Sequence, residues 1–209
     1  MKSILSIFAS IFVAGCSVVG QSDVETAPYT LLKSDDLQKI EVRNYASLVL
    51  VSTSMSGDGA NSAFRKLFNY IGGENEGATE ITMTAPVMMN PNITATKGAE
   101  ISMTTPVFMN ESADNSKMSF VMPKDFTLLT TPKPTNPDVE VSEVIDYKVA
   151  AIQFSGTLSD NNVEKHTKIL KNWINENGFI AISEPVNAAY NGPFTLPMMR
   201  TNEVLIELQ

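Results

Sequence analysis

The chain has 209 residues, 43% of them apolar and 18% charged, with a net charge of −8. That balance excludes intrinsic disorder, which needs low hydrophobicity and high net charge, and an acidic chain with no Lys/Arg cluster is unsuited to nucleic acid, whose affinity comes largely from phosphate neutralisation. One Cys and one His exclude a disulfide framework and the Cys/His-rich zinc sites, so no metal site is expected.

The first predicted element is a targeting segment. Lys2 precedes an apolar run over residues 4–13, followed by Ala14, Gly15 and Cys16. A basic start, a short apolar stretch and small residues before a cleavage point make a signal peptide, here residues 1–15. The run is too short to span a bilayer, which takes ~20 apolar residues. Val13, Ala14, Gly15 and Cys16 together resemble the bacterial lipobox, in which cleavage precedes a cysteine that is then lipid-modified. Cys16 is therefore the expected lipidation site. By resemblance to Gram-negative lipoproteins, Ser17 after the cysteine favours an outer-membrane lipoprotein facing the periplasm. Residues 16–28 are polar and unpatterned and read as a flexible tether. The domain is expected over 29–209.

That domain is written twice. Residues 40–57 (IEVRNYASLVLVSTSMSG) align with 139–156 (VEVSEVIDYKVAAIQFSG) at an offset of 99 without a gap. Both stretches are rich in β-branched residues and read as two strands in succession. In the helix after the first stretch, Ala60, Ala63, Phe64, Leu67, Phe68 and Ile71 share one face at 3.6-residue spacing, with Asp58 as cap and Gly72 as stop. The loop GGENEGATE reads as solvated. Strands follow over 81–90, 101–110 and 118–122. The first two, ITMTAPVMMN and ISMTTPVFMN, agree at seven of ten positions and predict a hairpin of similar strands. Pro86 and Pro106 belong at an edge or bulge because they cannot donate to a ladder. A linker over 130–138, stiffened by three prolines, leads into the second copy. There Val163, Leu170, Trp173 and Ile174 share a helix face, with Ser159 or Asp160 as cap and Gly178 as stop. Strands over 185–190 and 203–208 complete the chain. The expected fold is α+β, two ββαββ halves closing on each other because one half alone would leave an apolar sheet face bare.

TMTAPVMMN (82–90), SMTTPVFMN (102–110), MSFVMPKDFTLLTTPKP (118–134) and YNGPFTLPMMRTNEVLIEL (190–208) together resemble the SOUL/haem-binding protein family. The resemblance covers about residues 29–209. It implies a twisted antiparallel β-barrel of eight or nine strands flanked by two helices and related internally by a pseudo-two-fold. It also implies reversible binding of haem or another porphyrin by a carrier, buffer or scavenger that is not an enzyme. The same architecture resembles effector-binding domains of multidrug-responsive regulators. An envelope structural or interaction module that keeps the fold without a ligand is the alternative, and an enzyme acting on tetrapyrroles is a third reading.

In the family the terminal loop and the first helix border the proposed haem surface. Here that loop, 190–200, carries Phe194, Leu196, Met198 and Met199 beside Arg200, too apolar for a solvated connection. It is expected to face haem with Phe194 and Met198 and to pair a propionate with Arg200, whose fork suits a carboxylate. Phe64 and Phe68 of the first helix complete the expected surface. Thr201 stands where relatives often carry a second Arg. His166 falls between Leu170 and Trp173 on a helical wheel and reads as a packed boundary residue with no ligand role, so apolar stacking is expected to carry most of the affinity. The central methionines (Met83, Met88, Met89, Met103, Met109, Met118 and Met122) read mainly as core filling. Ser52, Ser54, Ser56 and Ser155 have no His at a useful spacing, and no phosphate-binding Gly-rich loop precedes a helix. No catalytic residue is expected.

Overall fold

A computed structural model describes residues 25–55, 59–89, 116–192 and 194–209. In chain order the elements are β1 (Thr30–Asp35), β2 (Ile40–Ser54), α1 (Gly59–Ile71), β3 (Val87–Met89), β4 (Lys117–Val121), β5 (Val139–Phe154), α2 (Asp160–Glu176), β6 (Val186–Ala189), a 3-10 turn (Pro197–Met199) and β7 (Asn202–Glu207). Cys16 and the whole signal segment lie outside the described residues, as do Asp58, Met103, Met109 and the 101–110 repeat.

β2 and β5 pair antiparallel along nearly their full length, from Ile40 opposite Ile152 to Thr53 opposite Val139. From β2 the sheet continues through β4, β3, β6 and β7 and returns to β5. Six strands thus close a barrel, and β1 adds a seventh on the free side of the first half of β2. The strand centres, residues 46–47 and 145–146, are equivalents under the 99-residue repeat and face each other. A pseudo-two-fold axis therefore runs between them, and the duplication read from the sequence is the symmetry of the fold. The described residues contain seven strands, and the expected strand over 101–110 lies outside them.

Each copy forms one continuous strand, not two in succession. The alternation does break at exposed Ala46–Ser47 and Ile145–Asp146. Asp146 takes a φ of 51° there, and the ladder steps from Tyr45 opposite Tyr147 to Ser47 opposite Ile145. Because both strands skip one residue at the same level, pairing resumes in register and neither chain turns back. Across this step the inward set moves from Tyr45 to Leu48 on β2 and from Val144 to Tyr147 on β5.

Residues 48–51 of β2 and 149–152 of β5 are buried on both faces, which explains their unbroken apolar runs. Tyr45, Leu48, Leu50, Tyr147, Val149 and Leu205 fill the barrel. Leu170, Trp173 and Ile174 of α2 cover Ile40, Val42 and Ile152 outside it. Ala63, Leu67, Tyr70 and Ile71 of α1 cover Val49, Val51 and Phe120. Burying a side chain such as Leu67 or Leu170 stabilises the fold by ~1.5–3 kcal/mol each. The α1 face is thus rotated from the expected one: Tyr70 is buried, while Ala60, Phe64 and Phe68 are exposed along its border. α2 ends as expected, with Gly178 at a φ of 73° and Phe179 N–H donating to the Ile174 carbonyl at 3.0 Å. The Trp173 indole donates to Asp35 at 2.9 Å and ties α2 to the end of β1.

Three further expectations change. The strand over 81–90 shrinks to β3, whose two edges are taken by β4 and β6. The expected hairpin partner, the 101–110 repeat, lies outside the described residues. The tether ends earlier than residue 28: Ala85 N–H donates to the Glu25 carbonyl at 2.9 Å, and Ala27 is buried in the barrel core. The loop after α1 is not solvated throughout. Buried Asn75 donates to the carbonyls of Tyr70 and Thr79 at 2.8 Å each and accepts from Thr79 N–H, while Tyr70 Oη donates to the Pro132 carbonyl in the linker.

Candidate functional site

The segment between β6 and β7 leaves the sheet at two definable roots. At the first, Ala189 faces Val87, and Val87 faces Phe120. Phe64 lies edge-on to Phe120 at 5.4 Å between ring centroids and stacks on Phe68 at 6.0 Å. Neighbouring strands are ~4.8 Å apart, so this root lies about 10 Å across the sheet from Phe120. At the second root Asn202 faces Phe154, and the His166 ring stacks on Phe154 at 4.2 Å. The loop therefore runs from the α1 side of the barrel to the α2 side.

Its backbone is held by specific bonds. Thr195 N–H donates to the Gly192 carbonyl, Met199 N–H to Leu196, and Gly156 N–H to Pro197 at 2.9 Å. Thr201 N–H donates to Asn191 Oδ1 at 2.6 Å. On this frame Phe194 is 87% exposed and Met198 75%, with Leu196 and Met199 also exposed. Such a cluster of exposed apolar side chains marks an interaction surface more often than scattered single residues do. Phe68, 52% exposed, extends the apolar character on the α1 side. Arg200 is half-buried and its Nε donates to the Thr195 carbonyl at 2.8 Å. That bond ties Arg200 to the loop backbone through Nε.

A second constellation lies at the barrel mouth. A cavity of about 190 Å³ opens among Tyr29, Arg43, Tyr45, Tyr190 and Glu203. Glu203 is only 2% exposed. Both terminal nitrogens of Arg43 donate to it, at 2.9 and 2.7 Å, and Tyr190 Oη donates to it at 2.6 Å. Arg43 Nε donates to Glu41 at 2.7 Å, and the guanidinium lies 4.6 Å from the Tyr29 ring centroid. Burial works against the Arg43 charge, yet the hydrogen bonds and charge of Glu203 hold its pKa above the ordinary value. Burial, and then the Glu203 charge, push the Tyr190 phenol up. The charged groups satisfy one another, and the cavity is smaller than the ~300–1,000 Å³ of ordinary ligand pockets. It cannot enclose a macrocycle.

Sequence reasoning missed Arg43 and Glu203. The only available signal was a charge at an inward position of an otherwise apolar strand in each half. Met88, Met118 and Met122 are buried in the core, as expected of gap-fillers. Among the described residues no group of three or more His, Cys, Asp or Glu could hold a metal ion.

The sequence model of one protein family, described as SOUL heme-binding protein, matches residues 24–207. No curated protein sequence is similar enough to count as a match. Among solved structures, a hydrolase from Listeria innocua is similar over 82% of this chain and 92% of its own, with a TM-score of 0.56 and 9% identity. An uncharacterized conserved protein from Listeria innocua is similar over 82% and 93%, at 0.56 and 10%. The EcmrR C-terminal domain is similar over 83% and 98%, at 0.51 and 12%. At such identities the likeness is one of fold.

Proposed function

Because the chain belongs to the SOUL heme-binding protein family, we propose that it binds haem or a related porphyrin reversibly, as a carrier, buffer or scavenger with no catalytic step, and on its surface. The carrying observation is the loop that presents Phe194, Leu196, Met198 and Met199 to solvent on a hydrogen-bonded backbone. Flat aromatic and polarizable thioether groups suit the face of a macrocycle. The barrel mouth is too small for one. Phe64 and Phe68 extend the surface at the α1 root, and Arg200 pairs a propionate. Haem supplies a redox-active iron whose axial positions accept protein ligands.

Haem and metal-free porphyrin should both bind the full chain at micromolar concentration. Replacing Phe194 and Met198 together by alanine should weaken both at least tenfold, a loss of ~1.4 kcal/mol or more. Unchanged affinity in that double variant places the ligand elsewhere. If neither compound binds the unmodified chain, the ligand-free interaction module takes the place of this reading.

We also propose that Cys16 carries the lipid anchor and holds the domain at the outer membrane, facing the periplasm. More than one acyl chain is needed for stable attachment. Mass spectrometry of the mature N-terminus should show a lipidated Cys16, and Cys16→Ser should abolish it. An unmodified cysteine, or cleavage at another residue, refutes the anchor.

A further inference from the structure

We propose that His166 provides an axial ligand, through Nε2, to the iron of a haem docked on the 190–201 loop. The inference rests on the tetrapyrrole reading above and specifies the metal contact within it. His166 is the chain's single imidazole, and the helical wheel alone assigns it to packing. Its hydrogen bond changes that assignment. Nδ1 lies 2.7 Å from the Asn162 carbonyl, and a carbonyl oxygen can only accept. Nδ1 therefore carries the proton, and in the neutral ring Nε2 keeps its lone pair. Metal-ligating histidines commonly show this arrangement, in which one nitrogen donates to a carbonyl and the other faces the metal.

The ring plane is fixed as well. His166 stacks on Phe154 with an interplanar angle of 11°, and Phe154 is itself packed in the core beneath α2. A ligand held in this way loses little rotational freedom on coordination. His166 is half-buried, so part of its ring reaches solvent.

The strand end and turn beside it meet the loop at two points. Phe154 faces Asn202, the first residue of β7 after the loop. Two residues beyond Phe154, Gly156 N–H donates to the carbonyl of Pro197, the residue before Met198. The Asn162 side chain, one helical turn before His166, donates to the carbonyls of Ser155 and Thr157 and so holds the same turn. One hydrogen-bonded unit thus contains the imidazole, the β5–α2 turn and the most exposed part of the loop.

The test is spectroscopic. The full chain is titrated with ferric haem and, separately, with metal-free porphyrin. Coordination through His166 should give a shifted Soret band and a haem affinity at least tenfold above that of the porphyrin. His166→Ala should abolish the shift and bring haem down to the porphyrin's affinity while leaving porphyrin binding unchanged. Free imidazole should restore the band. His166→Phe, which keeps a ring on Phe154 but offers no ligand atom, should behave like the alanine variant at unchanged melting temperature. Identical haem spectra in the unmodified and variant proteins overturn the ligand and leave the surface reading standing. Failure of both compounds to bind the unmodified chain overturns both.

Discussion

Glu203→Ala should destabilise the fold by about 3–5 kcal/mol, the cost of leaving a buried charge without its partner. Arg43 would keep its charge inside the barrel mouth and lose both terminal-nitrogen bonds to Glu203, at 2.7 and 2.9 Å. Glu41, at 2.7 Å from Nε, would remain its carboxylate partner, and it is partly exposed to water. Tyr190 would lose the acceptor of its 2.6 Å bond as well. Against a typical total stability of ~5–15 kcal/mol this is a large loss. The combined change Arg43→Met with Glu203→Leu should cost much less than the single one, because it removes the desolvated charge together with its partner. Urea unfolding of the three variants measures the difference. A loss below about 1 kcal/mol for Glu203→Ala would show that water reaches and compensates Arg43.

Raising the pH through the range 10–12 should unfold the protein cooperatively. Burial pushes the phenols of Tyr45, Tyr70, Tyr147 and Tyr190 above the ordinary value of 10.0, Tyr70 to about 12. Below pH 10 both folded and unfolded chains hold these protons, and the full stability is present. Above it the unfolded chain ionises first, while the folded chain keeps its phenols neutral. Stability then falls by ~1.4 kcal/mol per pH unit for each tyrosine ionised only in the unfolded state. Several such groups exhaust a marginal stability within about two units. Phenolate absorbance should therefore rise together with loss of the far-ultraviolet circular dichroism signal. Titration of the buried phenols with that signal intact would show the barrel admitting water without unfolding.

The largest features of the fold were written locally. The 99-residue repeat carries the pseudo-two-fold because two copies of one pattern fold alike and bury their bare faces on each other. The second helix was readable from its spacing, from Ser159 at its N-cap position and from Gly178 at its stop, all set within a turn or so of the chain. The loop around Phe194 and Met198 stood out because its residues are too apolar for a solvated connection. Other properties depend on residues far apart in the chain. Arg43 and Glu203 are 160 positions apart, and only barrel closure turns two isolated charges into one buried network. The continuity of β2 and β5 was hidden because a break in alternation looks like a turn until the partner shows the same break at the same level. β1 was missed because all but its last residue are exposed, so no period-2 pattern marks it. The α1 face was misjudged by part of a turn because β4 and the linker decide which side is covered. Propensity and periodicity act over a few residues, whereas burial of charge, choice of helix face and the neighbours of a side chain are set only when the sheet closes.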